Sequence, residues 1–231
     1  MIKLRNMIVG VIAITSITFS AFAFEGFSVG VMYSGTDFST SGSESTDTLG
    51  GVSRTVKTSK NGSADVGSIF AEYTFAQGST IGIEHIPGSA ELGKGTRTQS
   101  APLLGGAGED GSGLITAKAE ISDYTTFYAE PTVMLSDRFG VYVKGGASHV
   151  TVTPSYTEAA DIIQSTYSSQ DVWGVMTGVG AKVYSGNFFA KVEYVETEYG
   201  TYSFTSTTGD LNTVQADVDT EATRFALGYN F

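Results

Sequence analysis

The sequence lacks cysteine altogether, has four prolines and is poor in charged residues, which make up 16% of it. Without cysteine the chain can form neither a disulfide nor a thiolate metal site. Soluble domains carry about a quarter charged residues, so this chain is unusual for a water-soluble protein. Beyond residue 23 it also lacks the run of about twenty apolar residues that a transmembrane helix needs.

The charges that are present are mostly acidic and give a net charge of −11 at pH 7. Nucleic acid is bound by basic surfaces, so this balance argues against a nucleic-acid partner. The chain is rich instead in glycine, with 29 residues, and in aromatics, with 12 tyrosines and 14 phenylalanines. Abundant aromatic, valine and threonine residues with little proline favour an all-β fold.

The first 23 residues have the composition of a secretory signal peptide. Lys3 and Arg5 provide the positive end, and residues 7–19 form an apolar segment too short to span a bilayer. Ala21-Phe22-Ala23 offers small residues at the two positions that cleavage requires. We therefore expect a signal peptide over 1–23 and one domain over 24–231.

Residues 24–231 divide into eight segments with the two-residue period of a β-strand. We place these strands at 24–34, 64–76, 79–86, 122–135, 138–153, 170–185, 187–202 and 219–231. Three predicted connections are tight, at Gln77-Gly78, Ser136-Asp137 and Gly186, and four are long, at 35–63, 87–121, 154–169 and 203–218. This alternation predicts an eight-stranded antiparallel up-and-down transmembrane β-barrel with three short periplasmic turns and four long extracellular loops.

The last predicted strand distinguishes the lipid-facing side of the barrel wall from the inward side. One face carries Phe225, Leu227, Tyr229 and Phe231, and the other carries Arg224, Ala226, Gly228 and Asn230. Eight strands enclose an interior too narrow for all the aromatics of the large faces. The large apolar faces must therefore meet lipid, and the small and polar faces must point inward.

Aromatic residues near the strand ends predict two interfacial girdles. The lower girdle would contain Phe75, Phe139, Phe188, Tyr229 and Phe231, and the upper one Tyr33, Tyr124, Trp173, Tyr199 and Tyr202. One histidine breaks the lipid-facing pattern, since His85 has outward parity. Pro87 follows it closely, which predicts a bulge or an early strand end.

The inward faces carry four acids and four bases, which predicts a charge network in the lumen. Its members are Glu72, Glu84, Glu130, Lys144, Lys182, Lys191, Glu193 and Arg224. Heights counted from the turns place the first two acids across from Lys182 and Lys191, Glu130 beside Lys144, Arg224 across from Glu130, and Glu193 near Lys182. Because a desolvated charge is tolerated only when it is paired, we expect the network to plug the lumen. The alternative is a set of separate lumen charges solvated by water.

The sequence offers little catalytic chemistry, and we expect neither an enzyme, a metal site nor a cofactor. His149 and Thr151 share outward parity near the upper rim. Some small outer-membrane barrels that cleave or transfer the acyl chains of lipid A use a histidine with a hydroxyl residue at such a rim. Here no acid is clearly placed to orient the imidazole, so an interfacial histidine is expected. No spacing matches a calcium loop.

Together these features resemble the small outer-membrane β-barrel superfamily, which includes OmpA-type transmembrane domains, OmpX, OmpW and opacity-type "porin family" proteins. The resemblance is carried by the leader, the eight strands with four long loops, and the ending Arg224-Phe225-Ala226-Leu227-Gly228-Tyr229-Asn230-Phe231. It implies a bacterial outer-membrane location. It also implies that Phe225, Leu227, Tyr229 and Phe231 form the signal read by the barrel-assembly machinery.

On such scaffolds function lies in the loops and in grafted sites. We therefore expect a structural and surface-interaction role, as in adhesion or opacity-type proteins, with lipid and lipopolysaccharide around the barrel and an extracellular partner at the loops. Closure of the barrel removes sheet edges, so a monomer is expected. The alternative is a narrow, OmpW-like channel for small or hydrophobic solutes.

Overall fold

The computed structural model describes residues 25–46, 54–99, 113–157, 167–205 and 213–231. The predicted signal peptide lies outside these ranges. They contain nine β-strands: β1 (Gly26–Thr46), β2 (Arg54–Thr74), β3 (Thr80–Gln99), β4 (Gly113–Glu130), β5 (Thr132–Met134), β6 (Phe139–Thr157), β7 (Gln170–Ser185), β8 (Phe188–Thr205) and β9 (Thr213–Asn230). Within the same ranges no helix has the length and apolar character to cross a membrane.

The strands close into a barrel in which all neighbours are antiparallel. β1 pairs with both β2 and β9, and the sheet closes on its other side where β4 pairs with β6. The short β5 follows β4 directly and takes the same place in the barrel wall, where it also pairs with β6. Pro131 separates the two, because proline has no N–H to donate to the ladder. The predicted eight-stranded antiparallel barrel is therefore confirmed.

Most strands are much longer than the sequence predicted. The β1–β2 ladder runs without interruption from Gly26↔Thr74 to Thr46↔Arg54, so the predicted long connection at 35–63 is wrong over most of its length. Strands likewise take up 87–99, 113–121, 154–157, 203–205 and 213–218. The error has a physical cause. A strand segment beyond the lipid-facing band needs no apolar side chains on its outward face, so its serines and threonines were read as loop residues although threonine favours strands.

The tight turns occur where they were expected. Gly78 and Gly186 take positive φ angles of 86° and 60° in the first and third of them, which glycine adopts without steric cost. The second turn spans residues 135–138, where the backbone N–H of Leu135 donates to the carbonyl of Phe139 at 2.8 Å.

The two faces of the last strand are as predicted. On β9, Phe225, Leu227 and the following Phe231 are 56%, 66% and 75% exposed, whereas Arg224 and Ala226 are buried. The large apolar side chains thus point away from the barrel and the alternating set points into it.

The predicted bulge near His85 is confirmed, but the predicted early strand end is wrong. The β3–β4 register shifts between Ile86 and Ser89, and β3 then continues to Gln99. His85 Nδ1 lies 3.1 Å from Thr125 Oγ1 on the neighbouring strand. That contact gives the imidazole a polar partner on the outward face.

The interior also holds aromatic rings, beyond the small and polar side chains expected there. Four of these rings each lie across from an inward-facing glycine on the adjacent strand, in the pairs Phe70–Gly30, Tyr128–Gly82, Tyr142–Gly180 and Phe189–Gly228. A Cβ on any of these glycines would overlap the facing ring. The glycines therefore make the space that the rings fill, and an inward glycine in register with an aromatic was the signal in the sequence.

Candidate functional site

The lower half of the lumen is occupied by the eight charged residues that the sequence singled out. All eight are buried, each with 4% or less of its surface exposed: Glu72, Glu84, Glu130, Lys144, Lys182, Lys191, Glu193 and Arg224. They come from β2, β3, β4, β6, β7, β8 and β9. Side chains alternate between the two faces of a strand, so the period that points the apolar residues outward points these charges into one central space.

Glu130 lies at the centre of the network. Its carboxylate is 3.0 Å from Lys191 Nζ, 3.3 Å from Lys144 Nζ and 3.8 Å from Lys182 Nζ. Lys191 also forms an ion pair with Glu72. Three lysines from three consecutive strands thus converge on one carboxylate: Lys144 reaches it from the neighbouring strand β6, and Lys191 reaches it across the lumen from β8.

Arg224 forms the upper edge of the network. Its guanidinium pairs with Glu84 and, through Nη1, with Glu193 at 3.1 Å. Arg224 Nε also donates to Ser34 Oγ at 3.1 Å. Lys144 Nζ lies 3.0 Å from the same oxygen of Glu193, Oε1, so this carboxylate joins the two cations.

Several cross-lumen pairings differ from those expected. Contacts of Glu130 with Lys144 and of Glu72 with Lys191 are present. Arg224 pairs with Glu84 and Glu193 rather than Glu130. Barrel shear staggers the strands, so heights counted from one turn do not carry over to the opposite wall.

Lys182 lies lower than expected, near the first tight turn. Its Nζ donates to the carbonyl oxygen of Gly78 at 2.9 Å and to Thr80 Oγ1 at 3.0 Å. Of the acids, it approaches Glu130 rather than Glu84 or Glu193. This places Lys182 at the turn end of the network, where neutral oxygens satisfy most of its donors.

Hydroxyl groups and aromatic rings add contacts to the buried ions. Tyr128 Oη donates to Glu72 at 2.6 Å, and Tyr142 Oη donates to Glu193 at 2.8 Å. Lys144 Nζ lies 3.9 Å from the ring centroid of Tyr128. Such contacts matter because a buried ion pair offsets its desolvation only when its remaining donors and acceptors are also satisfied.

Above the charge network the lining of the lumen changes from charged to mostly apolar. A cavity of about 590 Å³ lies over Arg224. Val150, Val172 and Tyr199 pack together in its wall. The expectation of small and polar inward faces is therefore wrong for this upper part, which we call the upper chamber.

Three of the ten predicted girdle residues belong to the upper chamber. Tyr199 is buried inside the barrel, and Tyr124 and Tyr202 pack against its cluster. The inward parity of Tyr199 was visible in the sequence, but its position near a strand end suggested an interface. The other seven are exposed on the outside, as predicted: Phe75, Phe139, Phe188, Tyr229 and Phe231 below, and Tyr33 and Trp173 above.

An acid lies next to His149, which the sequence did not show. Asp171 Oδ1 is 3.6 Å from His149 Nε2 and accepts a hydrogen bond of 2.8 Å from Thr151 Oγ1. The threonine hydroxyl is thus directed at the carboxylate and not at the imidazole. This arrangement orients the ring but activates no nucleophile. Among the described residues, no group of three His, Cys, Asp or Glu could hold a metal ion.

The outer surface of the barrel has the features of a wall that faces lipid. The wall is closed by strand pairing, its outward side chains are large and apolar, and aromatic residues border this band at both ends. In lipid every backbone polar group must be paired within the protein, which a closed barrel achieves. The protein is an outer-membrane β-barrel.

Comparison with known proteins finds only low similarity among the solved structures named below. No family model matches the chain, and no curated protein matches it. Similar solved structures include the outer membrane protein OprG from Pseudomonas aeruginosa, with 13% identity, 91% of this chain and 100% of that chain covered, and a TM-score of 0.47. Ail, the attachment invasion locus protein of Yersinia pestis, is similar in two structures, with 16% and 15% identity and TM-scores of 0.36 and 0.35; each covers 87% of this chain and 99% of that chain.

Neisserial surface protein A is another similar structure, with 12% identity, 87% of this chain and 97% of that chain covered, and a TM-score of 0.39. At these identities and scores none of the likenesses bears on what this chain does.

Proposed function

We propose that the protein is a structural and surface-interaction protein of the outer membrane, with a lumen closed to solutes. The observation that carries the proposal is the convergence of Lys144, Lys182 and Lys191 on Glu130. A conducting pore needs a hydrated path, whereas these charges are buried and form ion pairs with one another. The four acids balance the four bases, so the network has no surplus charge to attract a counter-ion from water.

The surface role rests on the length of the strands beyond the lipid-facing band. On β1 the outward large apolar residues end at Tyr33, yet pairing with β2 continues from Ser34↔Val66 to Thr46↔Arg54. At about 3.3 Å per residue this adds roughly 40 Å of strand. The extension is mostly serine, threonine and glycine, and it offers a rigid polar surface to an extracellular partner.

Acidic side chains indicate where the bilayer ends on this side. Asp37 on β1, Glu221 on β9 and Glu196 on β8 lie in one row across three paired strands. Three carboxylates in one row on the outward face are incompatible with the hydrocarbon core. We place this row at the outer membrane surface, with the tight turns and both ends of the barrel domain facing the periplasm.

The outward side chains of β9 would serve biogenesis as well as lipid contact. Phe225, Leu227, Tyr229 and Phe231 form an exposed stripe at the end of the chain. We propose that the barrel-assembly machinery reads this stripe. The resemblance in the sequence suggested the role, and the exposure of all four side chains makes them accessible to it.

Single-channel recording tests the closed lumen. Purified protein in planar bilayers should show no stable conductance, because the ion pairs occupy the lower lumen. A stable, large conductance would refute the proposal. The surface role is tested separately, by comparing surface binding of cells that express the whole barrel with cells whose β1–β2 hairpin is shortened by removing residues 39–60.

The second candidate function is a narrow channel for hydrophobic solutes. It is favoured by the apolar lining and the volume of the upper chamber, about 590 Å³. Uptake of a hydrophobic solute by a deletion strain, with and without the protein restored, discriminates between the two candidates. Uptake that follows expression would favour the channel.

A further inference from the structure

The outward face of β6 and β7 carries polar side chains beside Trp173, the single tryptophan of the sequence. His149 stands opposite Trp173 in the β6–β7 ladder, and Thr151 stands opposite Asp171 one pleat higher. Side chains two residues apart on a strand share a face, so all four lie together on the outside of the barrel. We call His149, Thr151, Asp171 and Trp173 the rim cluster.

The carboxylate of the rim cluster is oriented by its two polar neighbours. Thr151 Oγ1 donates to Asp171 Oδ1 at 2.8 Å, and His149 Nε2 lies 3.6 Å from the same oxygen. Both contacts use Oδ1, and the Asp171 side chain is 68% exposed. Its second oxygen, Oδ2, therefore remains an acceptor for the hydroxyl group of a ligand.

Trp173 offers a flat apolar surface next to this carboxylate. Its ring centroid lies 4.9 Å from that of His149, with the two planes inclined by 60°, and 55% of the residue is exposed. In the described parts of β7 and β8, strand pairing reaches no higher than Val175↔Glu198. The indole therefore has a ladder neighbour on the β6 side and none opposite it on β8.

Side-chain hydrogen bonds hold the end of β7 where its pairing with β8 has stopped. Tyr202 Oη donates to the carbonyl oxygen of Trp173 at 2.6 Å. Gln170 Nε2 donates to the carbonyl oxygen of Ser203 at 3.1 Å. Both bonds cross from one strand to the other and fix the backbone that carries the rim cluster. A site that is already ordered loses less conformational entropy when a ligand binds.

The rim cluster lies above the acyl chains. The row of Asp37, Glu221 and Glu196 that marks the membrane surface continues onto β7 at Thr177. Trp173 is four residues higher on the same strand, which is about 13 Å along a strand that rises 3.3 Å per residue. The strand tilt of about 40° reduces this to roughly 10 Å along the membrane normal. The indole is therefore at the level of head groups and their sugars.

A flat ring beside a hydrogen-bond acceptor suits a pyranose sugar. One face of a pyranose presents polarised C–H groups, which are attracted to the negative face of an aromatic ring. Its hydroxyl groups donate to carboxylates, whereas a phosphorylated or sulfated sugar is repelled by the negative charge of Asp171. We propose that the rim cluster binds a neutral pyranose, which stacks on Trp173 and donates a hydroxyl hydrogen bond to Asp171.

The sugar has two possible sources that share this chemistry. One is the core of a neighbouring lipopolysaccharide molecule, and the other is a soluble glycan that reaches the cell surface. The site takes from the proposed function only the height of the membrane surface. It involves neither the closed lumen nor the polar extension of β1 and β2.

Intrinsic fluorescence tests the site, because Trp173 is the single tryptophan. In nanodiscs, one arm compares lipopolysaccharide that carries neutral core hexoses with truncated lipopolysaccharide that lacks them. The other arm titrates dextran, a neutral glucose polymer, against dextran sulfate. The proposal predicts a hexose-dependent emission change in the first arm, a saturable response to dextran in the second, or both. The arm that responds identifies the source of the sugar.

Two results would overturn the proposal. The first is the same emission in both lipopolysaccharides together with no response to dextran, as expected of an indole that only anchors the barrel at the interface. The second is a response to dextran sulfate as large as that to dextran, because the carboxylate would then play no part in selecting the sugar.

A pair of aspartate variants supplies the control. Asp171→Ala removes the acceptor and should raise the apparent Kd for dextran at least about tenfold, equivalent to 1.4 kcal/mol. If the lipopolysaccharide arm responds, the same variant should abolish the difference between the two lipopolysaccharides. Asp219→Ala removes another exposed acid from β9 and should change neither readout. Equal effects of the two variants would contradict the site.

Folding of each variant is checked by its heat-dependent mobility in detergent gels. If Asp171→Ala does not fold, Asp171→Asn keeps the size of the side chain and removes the charge that repels dextran sulfate. That variant should reduce the preference for dextran over dextran sulfate, and an unchanged preference would contradict the site. Channel recording and surface binding by the β1–β2 hairpin do not involve the rim cluster, so failure of the proposed function and failure of the sugar site are distinguishable.

Discussion

Lys191 on β8 lies 3.0 Å from the carboxylate of Glu130 on β4, although β6 and β7 separate these strands in the wall. The contact therefore crosses the lumen. Because Glu72 on β2 pairs with the same ammonium, Lys191 ties together three parts of the barrel that share no ladder. An ion that bridges the lumen in this way ties opposite parts of the wall together, and under the proposed function it also blocks passage through the barrel.

Removing this cation should be costly. Lys191→Met leaves Glu72 and Glu130 buried with less positive charge around them, and breaking a buried pair costs about 3–5 kcal/mol. Urea unfolding of the barrel in lipid vesicles measures the loss. The matched control is Lys118→Met, which breaks the exposed pair with Glu91 and should change the free energy of unfolding by less than about 1 kcal/mol. Equal losses in the two variants would contradict the account.

Neutralising the central carboxylate should change what the lumen admits. Glu130→Gln leaves Lys144, Lys182 and Lys191 around a neutral amide, so the network gains a net positive charge. We expect a small, anion-selective conductance in planar bilayers, detected by the reversal potential in a salt gradient. Glu198→Gln, on the exposed surface of β8, should show no conductance. A cation-selective current through Glu130→Gln would contradict this prediction.

The ring-over-glycine packing gives a stability prediction. Gly82→Ala puts a Cβ into the ring of Tyr128, and the resulting overpacking should cost about 1–3 kcal/mol. Gly67→Ala places the same methyl in open space and should be neutral or slightly stabilising. Urea unfolding in vesicles compares the two. If Gly67→Ala were the more damaging substitution, the packing described for the interior would be wrong.

The proposed assembly stripe predicts a defect in cells that is absent in vitro. Phe231→Ser should lower the amount of folded barrel in the outer membrane, while refolding of the purified chain into detergent is unaffected. Phe27→Ser changes a similarly exposed phenylalanine near the same end of the barrel and serves as the control. Fractionated cells and heat-dependent gel mobility provide both readouts. Equal assembly of the two variants would remove the special role of Phe231.

The sequence was most informative where one face of a strand meets lipid. Outward Leu227 and inward Ala226 differ so strongly in environment that parity alone places them, and the same parity placed all eight lumen charges inside. It was least informative above the bilayer, where Ser39 and Ser41 lie in a strand with no apolar alternation to reveal it.

Two features depend on how the strands are aligned with one another, which the sequence of a single strand does not show. The partners of Arg224 follow from the stagger of the barrel, and the upper chamber follows from Val150, Val172 and Val218 meeting at one height from three strands. Val150 and Val172 have unremarkable inward positions in their predicted strands, and Val218 falls in the predicted connection 203–218. Only the register of the neighbouring strands shows that they enclose an apolar space.

The central claim is that ion pairs close the lower lumen, and the lack of native cysteine allows a direct test. Single cysteines at Ala226, which is inward and buried, Leu227, which faces lipid, and Asp219, which is exposed near the outer surface, can be reacted in vesicles with a charged, water-soluble thiol reagent. The account predicts rapid labelling of Asp219→Cys and protection of both Ala226→Cys and Leu227→Cys. Labelling of Ala226→Cys as fast as Asp219→Cys would show a water-filled lumen and contradict it.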